Sequence, residues 1–331
     1  MKALSRLQRR FAYAWPAVTF AVALLAMNVA IDRSFLDLSN WPSILAVAMP
    51  FILVSMAAAP AIISGGIDLS IGPAAGIVNA ALIAWLAPVG WTSPLVIIAA
   101  TLGIGLVIGA VNGVVIAWLR VPSIIATLGS YLVLSGLTLE ILPMSGGRAP
   151  DWMIALGGRI GVFPLPLVIP LCVFLAWALV RASAFGRNLL ASGGEPRAAF
   201  ASGIDVALTR FVAYVASSII AAVTGFAFTV SLGSGDPTAA TPYTLIGIAG
   251  AVLGGVSLSG GRGGLLGAAA GGAVLFLVQN LLSLAHVSAF YAQIAYGVIL
   301  LAALALNGLA DRARHRRDRA ASLRFAQNAA R

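Results

Sequence analysis

Ten stretches of the sequence are almost continuously apolar, and charged residues, prolines or glycines separate each stretch from the next. A helix needs roughly 20 apolar residues to cross a bilayer core about 30 Å thick, whereas the strands of a membrane β-barrel alternate polar and apolar residues. The pattern therefore predicts helices over residues 16–30, 44–63, 73–87, 94–119, 123–142, 164–180, 211–230, 243–258, 265–285 and 289–306. The third and eighth stretches are short, so tilted, broken or re-entrant segments are open alternatives to full crossings.

The amino-acid composition points the same way. Hydrophobic residues make up 60% of the 331-residue chain and charged residues only 9%, and the mean hydropathy is +1.01. Soluble domains carry about 25% charged residues, so water is not the main solvent of this chain. We expect an all-α integral membrane protein with about ten transmembrane helices, surrounded by membrane lipid.

The basic residues indicate how the helices cross the membrane. If the N-terminus is cytoplasmic and the chain crosses ten times, 17 of the 20 Lys and Arg residues lie on the cytoplasmic side, the exceptions being Arg33, Arg148 and Arg159. Cytoplasmic loops of membrane proteins are rich in Lys and Arg, so both termini are predicted to be cytoplasmic. The net charge of +10 is then a topology signal, and no nucleic-acid partner is expected.

Three regions follow from this topology: a cytoplasmic segment at residues 1–15, a transmembrane domain at 16–308 and a basic cytoplasmic tail at 309–331. The first 30 residues also have the outline of a signal peptide, with a basic head before an apolar stretch. Asn28 stands where a cleavage site prefers a small residue. We therefore expect this stretch to be retained as the first span, and the protein to be a multi-pass protein of the bacterial inner membrane.

The chain lacks the residues that common catalytic and metal sites need. Its only lysine is Lys2, so it cannot contain the Gly-Lys-Ser/Thr loop of a P-loop ATPase. Two histidines, His286 and His315, and one cysteine, Cys172, are too few for most metal centres. No serine stands in a Gly-x-Ser-Gly turn of the kind that carries a hydrolase nucleophile. We expect no catalytic residues, no metal and no cofactor.

A glycine-rich segment, SGGIDLSIG at residues 64–72, separates the second and third apolar stretches. A carboxylate such as Asp68 is costly in hydrocarbon, so it should face protein or water. Gly65, Gly66 and Gly72 permit unwound backbone, which membranes tolerate only where it lines a cavity or is buried in protein. The alternative is that Asp68 or Ser70 only caps the following helix.

A second segment, GGVSLSGG at residues 254–261, matches residues 65–72 at five of eight positions. Such a match indicates a possible internal duplication of the kind that transporters show. It makes Gly254, Gly255, Gly260 and Gly261 candidate structural glycines beside Gly65, Gly66 and Gly72. Elsewhere, small residues recur at helical spacing, which predicts close helix packing; the two stripes are Gly105, Gly109 and Gly113, and Gly263, Gly267 and Gly271.

The longest polar interval covers residues 181–210. Pro196 suits the first position of a helix, Glu195 complements its positive end, and Gly203 suits its termination. We therefore predict a helix of about two turns outside the membrane, on the cytoplasmic face. A plain connector would not need a defined helix, so this one is interpreted as a docking element for a cytoplasmic partner.

In these segments the chain resembles the permease subunits of ATP-binding-cassette (ABC) importers for ribose and related monosaccharides. The resemblance rests on GGIDLSIG at residues 65–72, Asn112-Gly113, RVPSIIATLG at residues 120–129, the interval 186–204 and the glycine-rich turn 254–264. It runs in order from about residue 40 to 308. Where such permeases often have an aromatic-Ala-Ile-Gly-Gly-Asn run before the loop helix, this chain has LLASGGE at residues 189–195.

The resemblance implies partners and site residues. It implies a second permease subunit, as a homodimer or heterodimer, two cytoplasmic ATP-binding subunits that hydrolyse ATP, and a periplasmic solute-binding protein. Uncharged sugars need only weak polar contacts along the path, for which the candidates are Asp68, Ser70, Asn112 and Thr127. The coupling element to the ATP-binding subunits would comprise Gly186, Arg187, Gly194, Glu195, Pro196, Ala198, Ala199, Gly203 and Ile204.

Two alternatives are open. An ion-coupled secondary transporter usually has several carboxylates within the membrane, and here only Asp68 and Glu140 qualify. An ABC permease for another small solute, such as an autoinducer sugar, a nucleoside or a branched-chain amino acid, would share most of the features above.

Overall fold

The computed structural model describes residues 15–288, residues 291–302 and residue 305. The predicted N-terminal segment, apart from Trp15, and the predicted basic tail lie outside the described residues.

Helices, most of them apolar, form the greater part of the described structure. The first six helices are α1 (Trp15–Ile31), α2 (Trp41–Ile63), α3 (Ile71–Ala81), α4 (Pro94–Ala117), α5 (Ser123–Ile141) and the short α6 (Asp151–Ala155). The remainder are α7 (Val168–Ala182), α8 (Ala184–Gly194), α9 (Pro196–Ala201), α10 (Val206–Leu232), α11 (Tyr243–Leu253), α12 (Leu265–Leu284) and α13 (Tyr291–Ala302). One small antiparallel hairpin pairs β1 (Arg159–Ile160) with β2 (Phe163–Pro164).

Six helical segments within the described residues are long and apolar enough to cross a membrane: α2, α4, α5, α7 with the 3₁₀ turn before it, α10 and α12. Each of the ten predicted stretches coincides with an apolar helix, so the prediction of a multi-pass helical membrane protein is confirmed. The helices α1, α3, α11 and α13 are shorter than the other six. The number of full crossings therefore stays a prediction.

The two stretches that the sequence marked as short are short helices in the structure. Helix α3 continues through a π-helical turn at Leu82–Leu86. Helix α11 ends at Leu253, so the predicted span to residue 258 was too long by five residues. The 11 residues of α11 rise only about 16 Å at 1.5 Å per residue, which is about half the thickness of a bilayer core.

Helix α2 lies at the centre of the bundle, and almost every residue from Ala48 to Ile63 is buried. It packs against α10, α11 and α12, while α5 and α7 lie at the periphery with most of their side chains exposed. A surface of exposed apolar side chains is what lipid requires. The exposed face of α7, which includes Leu171, Leu175 and Leu179, meets this requirement.

A polar anchor holds the loop that leads into α11. The side chain of Asn79 on α3 donates to Thr229 Oγ1 at 2.9 Å and to the carbonyl of Ser234 at 3.2 Å, and it accepts from the backbone N–H of Asp236 at 2.9 Å. Residues 233–242 are thereby tied to α3 as they lead from the end of α10 to Tyr243. The start of α11 consequently lies beside α3, where Gly72 donates its N–H to Thr244.

The predicted glycine stripe on α4 packs against α10, as expected. A Cβ atom on Gly105 would lie 2.8 Å from the Cβ of Ala222, and one on Gly109 would lie 2.6 Å from the Cα of Val215. These distances are too short for real atoms, so the two helices approach each other only because the side chains are absent. Gly103, on the same helix, faces open space.

This geometry predicts opposite outcomes for two glycines of one helix. Replacing Gly109 by Ile forces α4 and α10 apart, and we expect it to destabilise the protein by about 1–3 kcal/mol, the usual cost of overpacking. The control Gly103→Ile has the same helix propensity cost and no clash, and should unfold close to the wild-type temperature. Thermal unfolding in detergent measures both, and equal midpoints would contradict the packing assignment.

Candidate functional site

The glycine-rich turn at residues 64–70 interrupts the path of the chain between α2 and α3, and hydroxyl groups of α5 pair with its backbone. The N–H of Ile67 donates to Ser123 Oγ at 3.2 Å, and the N–H of Leu69 donates to Thr127 Oγ1 at 3.0 Å. Thr127 Oγ1 also lies 3.3 Å from the carbonyl oxygen of Ile67. Backbone groups that leave a helix inside a membrane need such partners.

Helix α11 supports the same turn from the other side. Thr244 Oγ1 donates to the carbonyl of Leu69 at 3.1 Å and accepts the N–H of Gly72 at 3.2 Å. A Cβ atom on Gly72 would overlap this hydroxyl, so the residue at this position must be glycine for the contact to form. The starts of the two short helices α3 and α11 are thus joined through one threonine.

Asp68 lies inside this turn and is only 2% exposed. Its Oδ1 accepts from the N–H of Ser70 at 2.9 Å and from Ser70 Oγ at 2.6 Å. Its Oδ2 lies 3.2 Å from Ser217 Oγ on α10. Among the described residues, this carboxylate has no ion-pair partner. Hydrogen bonds therefore compensate for its burial. Asp68 forms an Asx turn with Ser70, and neither residue caps α3 with its side chain.

The network continues into α4 and α5. Asn112 donates to Ser70 Oγ at 2.9 Å, and its carboxamide oxygen accepts from Ser130 Oγ. The four predicted path residues Asp68, Ser70, Asn112 and Thr127 therefore lie around one turn. All four are buried. Their assignment to a transport path stays a prediction, and in this conformation they hold the turn together.

Two glycine-rich turns and the predicted coupling segment meet at one place, which we call the glycine junction: Gly65, Gly193, Gly194, Gly260 and Gly261. The N–H of Gly261 donates to the carbonyl of Ile63 at 2.9 Å. A Cβ atom on Gly193 would overlap that same carbonyl oxygen, and one on Gly260 would lie 3.0 Å from the Cα of Gly65. Backbone packs directly on backbone here.

The two turns also end their preceding helices in the same way. The N–H of Gly65 bonds to Ile62 and that of Gly66 to Ala61, while the N–H of Gly255 bonds to Val252 and that of Val256 to Ala251. Both are Schellman motifs with a left-handed glycine. This geometry pairs Gly65 with Gly255, one residue away from the pairing that the sequence match used. The internal duplication itself stays a prediction.

The predicted coupling segment contains two helices instead of one. Helix α9 begins at Pro196 and ends before Gly203, which adopts a left-handed conformation, as the sequence predicted. Helix α8, which holds Gly186, Arg187 and Gly194, was not predicted from the sequence. Glu195 lies between the two helices, directly before Pro196, and makes no side-chain cap. Its predicted charge complementarity to the start of α9 needs no hydrogen bond and stays a prediction.

The coupling segment has a buried side and an exposed side. Leu189 on α8 and Ala199 on α9 are buried, and they fix the segment to the bundle. Ala198 is exposed, and Phe200 is 75% exposed. An isolated, exposed phenylalanine on a short surface helix is a typical anchor for a protein partner. Ile204 follows Gly203 and is partly buried.

A cavity of about 610 Å³ lies between the coupling segment and the turn at residues 64–66. The link between α4 and α5 forms its other wall, with Arg120 in a left-handed conformation. Asp205, Arg210 and Phe200 also line it. The coupling segment therefore touches the turn tightly at the glycine junction and stands away from it elsewhere.

Several supporting residues were not identified from the sequence, namely Ser217, Ser130 and Thr244. Thr244 is the one Ser or Thr residue of α11, and that isolation was the available signal. Ser217 and Ser130 stand on helices with several other hydroxyl residues, so no local signal singled them out. Within the part of the chain that the structure describes, no three His, Cys, Asp or Glu residues cluster to hold a metal ion.

The hydroxyl of Thr127 offers a direct test of the turn. Thr127→Val keeps the shape of the side chain but leaves the N–H of Leu69 without an acceptor, which should cost about 1–3 kcal/mol of stability. Thr127→Ser retains the hydroxyl and should retain most of that stability. The measurement is thermal unfolding of the detergent-solubilised chain, and a Val variant as stable as the Ser variant would argue against this support.

Comparison with known proteins places this chain in a family. A family described as branched-chain amino acid transport system / permease component matches residues 41–304, well over half of the chain. The chain is 37% identical over 294 residues to the probable ABC transporter permease protein YphD of Escherichia coli K12. This alignment covers 86% of this chain and 87% of that protein. No solved structure matches it.

Two further relatives carry the names of sugar transporters. The chain is 36% identical over 253 residues to the ribose import permease protein RbsC of Bacillus subtilis, covering 74% of this chain and 77% of that protein. It is 31% identical over 297 residues to the D-allose transport system permease protein AlsC of Escherichia coli K12, covering 86% and 90%. This chain therefore belongs to the permease-component family of membrane transport systems, as a multi-pass membrane protein.

Proposed function

We propose that this chain is the membrane-spanning permease subunit of an ATP-driven importer of a monosaccharide. The names of its relatives, a ribose import permease and a D-allose permease, support the substrate class. The structural observation that carries the proposal is the glycine junction. Through it, a surface segment with an exposed docking helix contacts both glycine-rich turns, each of which adjoins a short helix within the bundle.

The proposed topology has ten passes or partial passes with both termini in the cytoplasm. In this arrangement the coupling segment, the turn at residues 64–66 and the turn at residues 254–264 share the cytoplasmic side. The distribution of Lys and Arg supports it, with 17 of 20 on that side. The hairpin of β1 and β2 and the loop at residues 233–242 then face the periplasm, where a solute-binding protein would dock.

The proposed mechanism starts at α9. ATP-binding subunits would grip the exposed face of α9, including Phe200, and displace the coupling segment when they close on ATP. Because Gly193 packs on the backbone carbonyl of Ile63, a displacement of α8 acts directly on the end of α2 and on the turn beside it. A second permease subunit completes the path, and hydrolysis belongs to the partner subunits, since this chain has no P-loop.

Reconstituted uptake tests the function. We expect proteoliposomes that contain this chain, its ATP-binding subunits and its solute-binding protein to accumulate D-ribose or a related sugar only when ATP is supplied. Liposomes with the permease alone should accumulate none. Uptake by the isolated chain, driven by an ion gradient, would contradict the proposal and would establish a secondary transporter.

The exposed phenylalanine of α9 tests the coupling role. Phe200→Asp should lower ATP-dependent uptake about tenfold or more, equivalent to about 1.4 kcal/mol of lost partner binding, because a carboxylate cannot enter an apolar pocket of the partner. Phe200→Leu keeps an apolar anchor and serves as the matched control. Membrane insertion and the unfolding temperature should be the same for both variants, since the side chain is exposed. Unchanged uptake by Phe200→Asp would place the docking surface elsewhere.

A further inference from the structure

A second cavity, of about 270 Å³, lies between α2, α11, α12 and α13. It is close to the buried network around Asp68, because its lining residue Tyr243 precedes Thr244, which bonds to the carbonyl of Leu69. Phe51, Tyr243, Tyr296, Gln279 and Gln293 are among the residues that line it. Ligand pockets usually measure about 300–1,000 Å³. This cavity is slightly smaller than that range, so it has room only for a small molecule of one ring. None of the four predicted path residues lines it.

Three aromatic rings form one wall of the cavity. The ring of Phe51 meets that of Tyr243 edge to face with centroids 4.9 Å apart, and it meets that of Tyr296 at 6.4 Å. Phe228 packs behind Tyr243 at 4.6 Å. Because each ring is held by another, the wall keeps its shape without a ligand. Each ring of this wall offers an aromatic surface of the kind that the C–H face of a sugar ring packs against.

Two carboxamides supply the polar side of the cavity. Tyr296 Oη donates to Gln279 Oε1, so this tyrosine is oriented and the amide nitrogen of Gln279 stays available as a donor. The side chain of Gln293 is exposed, and within the described residues it has no hydrogen-bond partner. A carboxamide offers both donors and an acceptor, which matches the hydroxyl groups of a polyol.

None of the described residues that line this cavity is charged. An amino acid carries an ammonium and a carboxylate. The start of α11 at Tyr243 offers a partner for the carboxylate alone, and no carboxylate among the described lining residues receives the ammonium. A cation would need several oxygen ligands. The aromatic wall and the two amides fit a neutral polyhydroxylated solute better than either of these.

The cavity lies well inside the bundle. From the end of each helix nearest the glycine junction, Tyr243, Phe51 and Gln279 lie about 15, 18 and 21 Å along α11, α2 and α12, at 1.5 Å per residue. Gln293 lies one turn further from the junction than Tyr296, at the outer end of the cavity. Under the proposed topology this end faces the periplasm, from which an imported solute arrives.

We infer that this cavity is a binding subsite for the transported solute, a neutral monosaccharide that stacks on Tyr243 and hydrogen-bonds to Gln279 and Gln293. The inference rests on the proposed function and deepens it by naming the residues that contact the sugar. It also separates two roles: the buried residues around Asp68 support the broken helices, while the side chains of this cavity meet the solute.

Thiol labelling in lipid nanodiscs tests the subsite. The chain has a single cysteine, so Cys172→Ala gives a cysteine-free background for Gln279→Cys and, as a lipid-facing control, Leu171→Cys. In the complete transporter with its ATP-binding subunits, a charged methanethiosulfonate should modify Gln279→Cys about tenfold faster than Leu171→Cys, because the reactive thiolate forms only in contact with water. The sugar that the wild-type complex takes up, selected from D-ribose, D-allose, D-xylose and D-galactose, should slow this labelling.

Gln293→Cys, at the outer end of the cavity, repeats the test with a side chain whose replacement breaks no hydrogen bond among the described residues. Two results would overturn the subsite while ATP-dependent uptake still supports the proposed function. In the first, Gln279→Cys is labelled as slowly as Leu171→Cys. In the second, the transported sugar does not slow the labelling of either cavity cysteine. Absence of ATP-dependent uptake for every sugar would instead refute the proposed function.

Discussion

Every backbone group that leaves a helix in the interior of the bundle has to find a partner, and this constraint organises the core of the protein. The turn between α2 and α3 leaves the N–H groups of Ile67 and Leu69 outside any helix. Three hydroxyl side chains form hydrogen bonds with these groups and with the carbonyl of Leu69: Ser123, Thr127 and Thr244. Without these three side chains, α3 could not start at its depth in the bundle, and α11 would lose its contact with Gly72.

The same constraint explains why the coupling segment contacts the bundle through glycines. A carbonyl at the end of a helix, such as that of Ile63, accepts from the N–H of Gly261, and that bond requires two backbones to touch. Any side chain at Gly193 would occupy the space of this oxygen. Backbone contact is stiffer than side-chain contact, because it has no rotamers to absorb a displacement. Under the proposed mechanism, this junction passes motion of α8 to α2.

The sequence predicted those parts that depend on local pattern. Continuous apolar runs located the helices, Pro196 and Gly203 marked the ends of α9, and the short third and eighth stretches identified α3 and α11. Packing decided what local pattern could not. Gly186 and Gly193 look like helix breakers, yet both lie within α8, because the bundle needs their small size. The cavity between α2, α11, α12 and α13 brings together residues from positions 51 to 296, and no single segment carries a signal for it.

The placement of the polar groups also bears on how an importer of this kind can move. Asp68, Ser70, Asn112 and Thr127 are buried and bonded to four elements at once, so opening this network would expose several unpaired groups in a medium without water. Each such group costs about 1–3 kcal/mol. The network should therefore move as one body with α3, α4, α5 and α10. The open spaces lie on either side of it, at the 610 Å³ cavity beside the coupling segment and at the aromatic cavity beyond. Under the proposed mechanism, alternating access requires these two spaces to change volume while the polar centre between them stays intact.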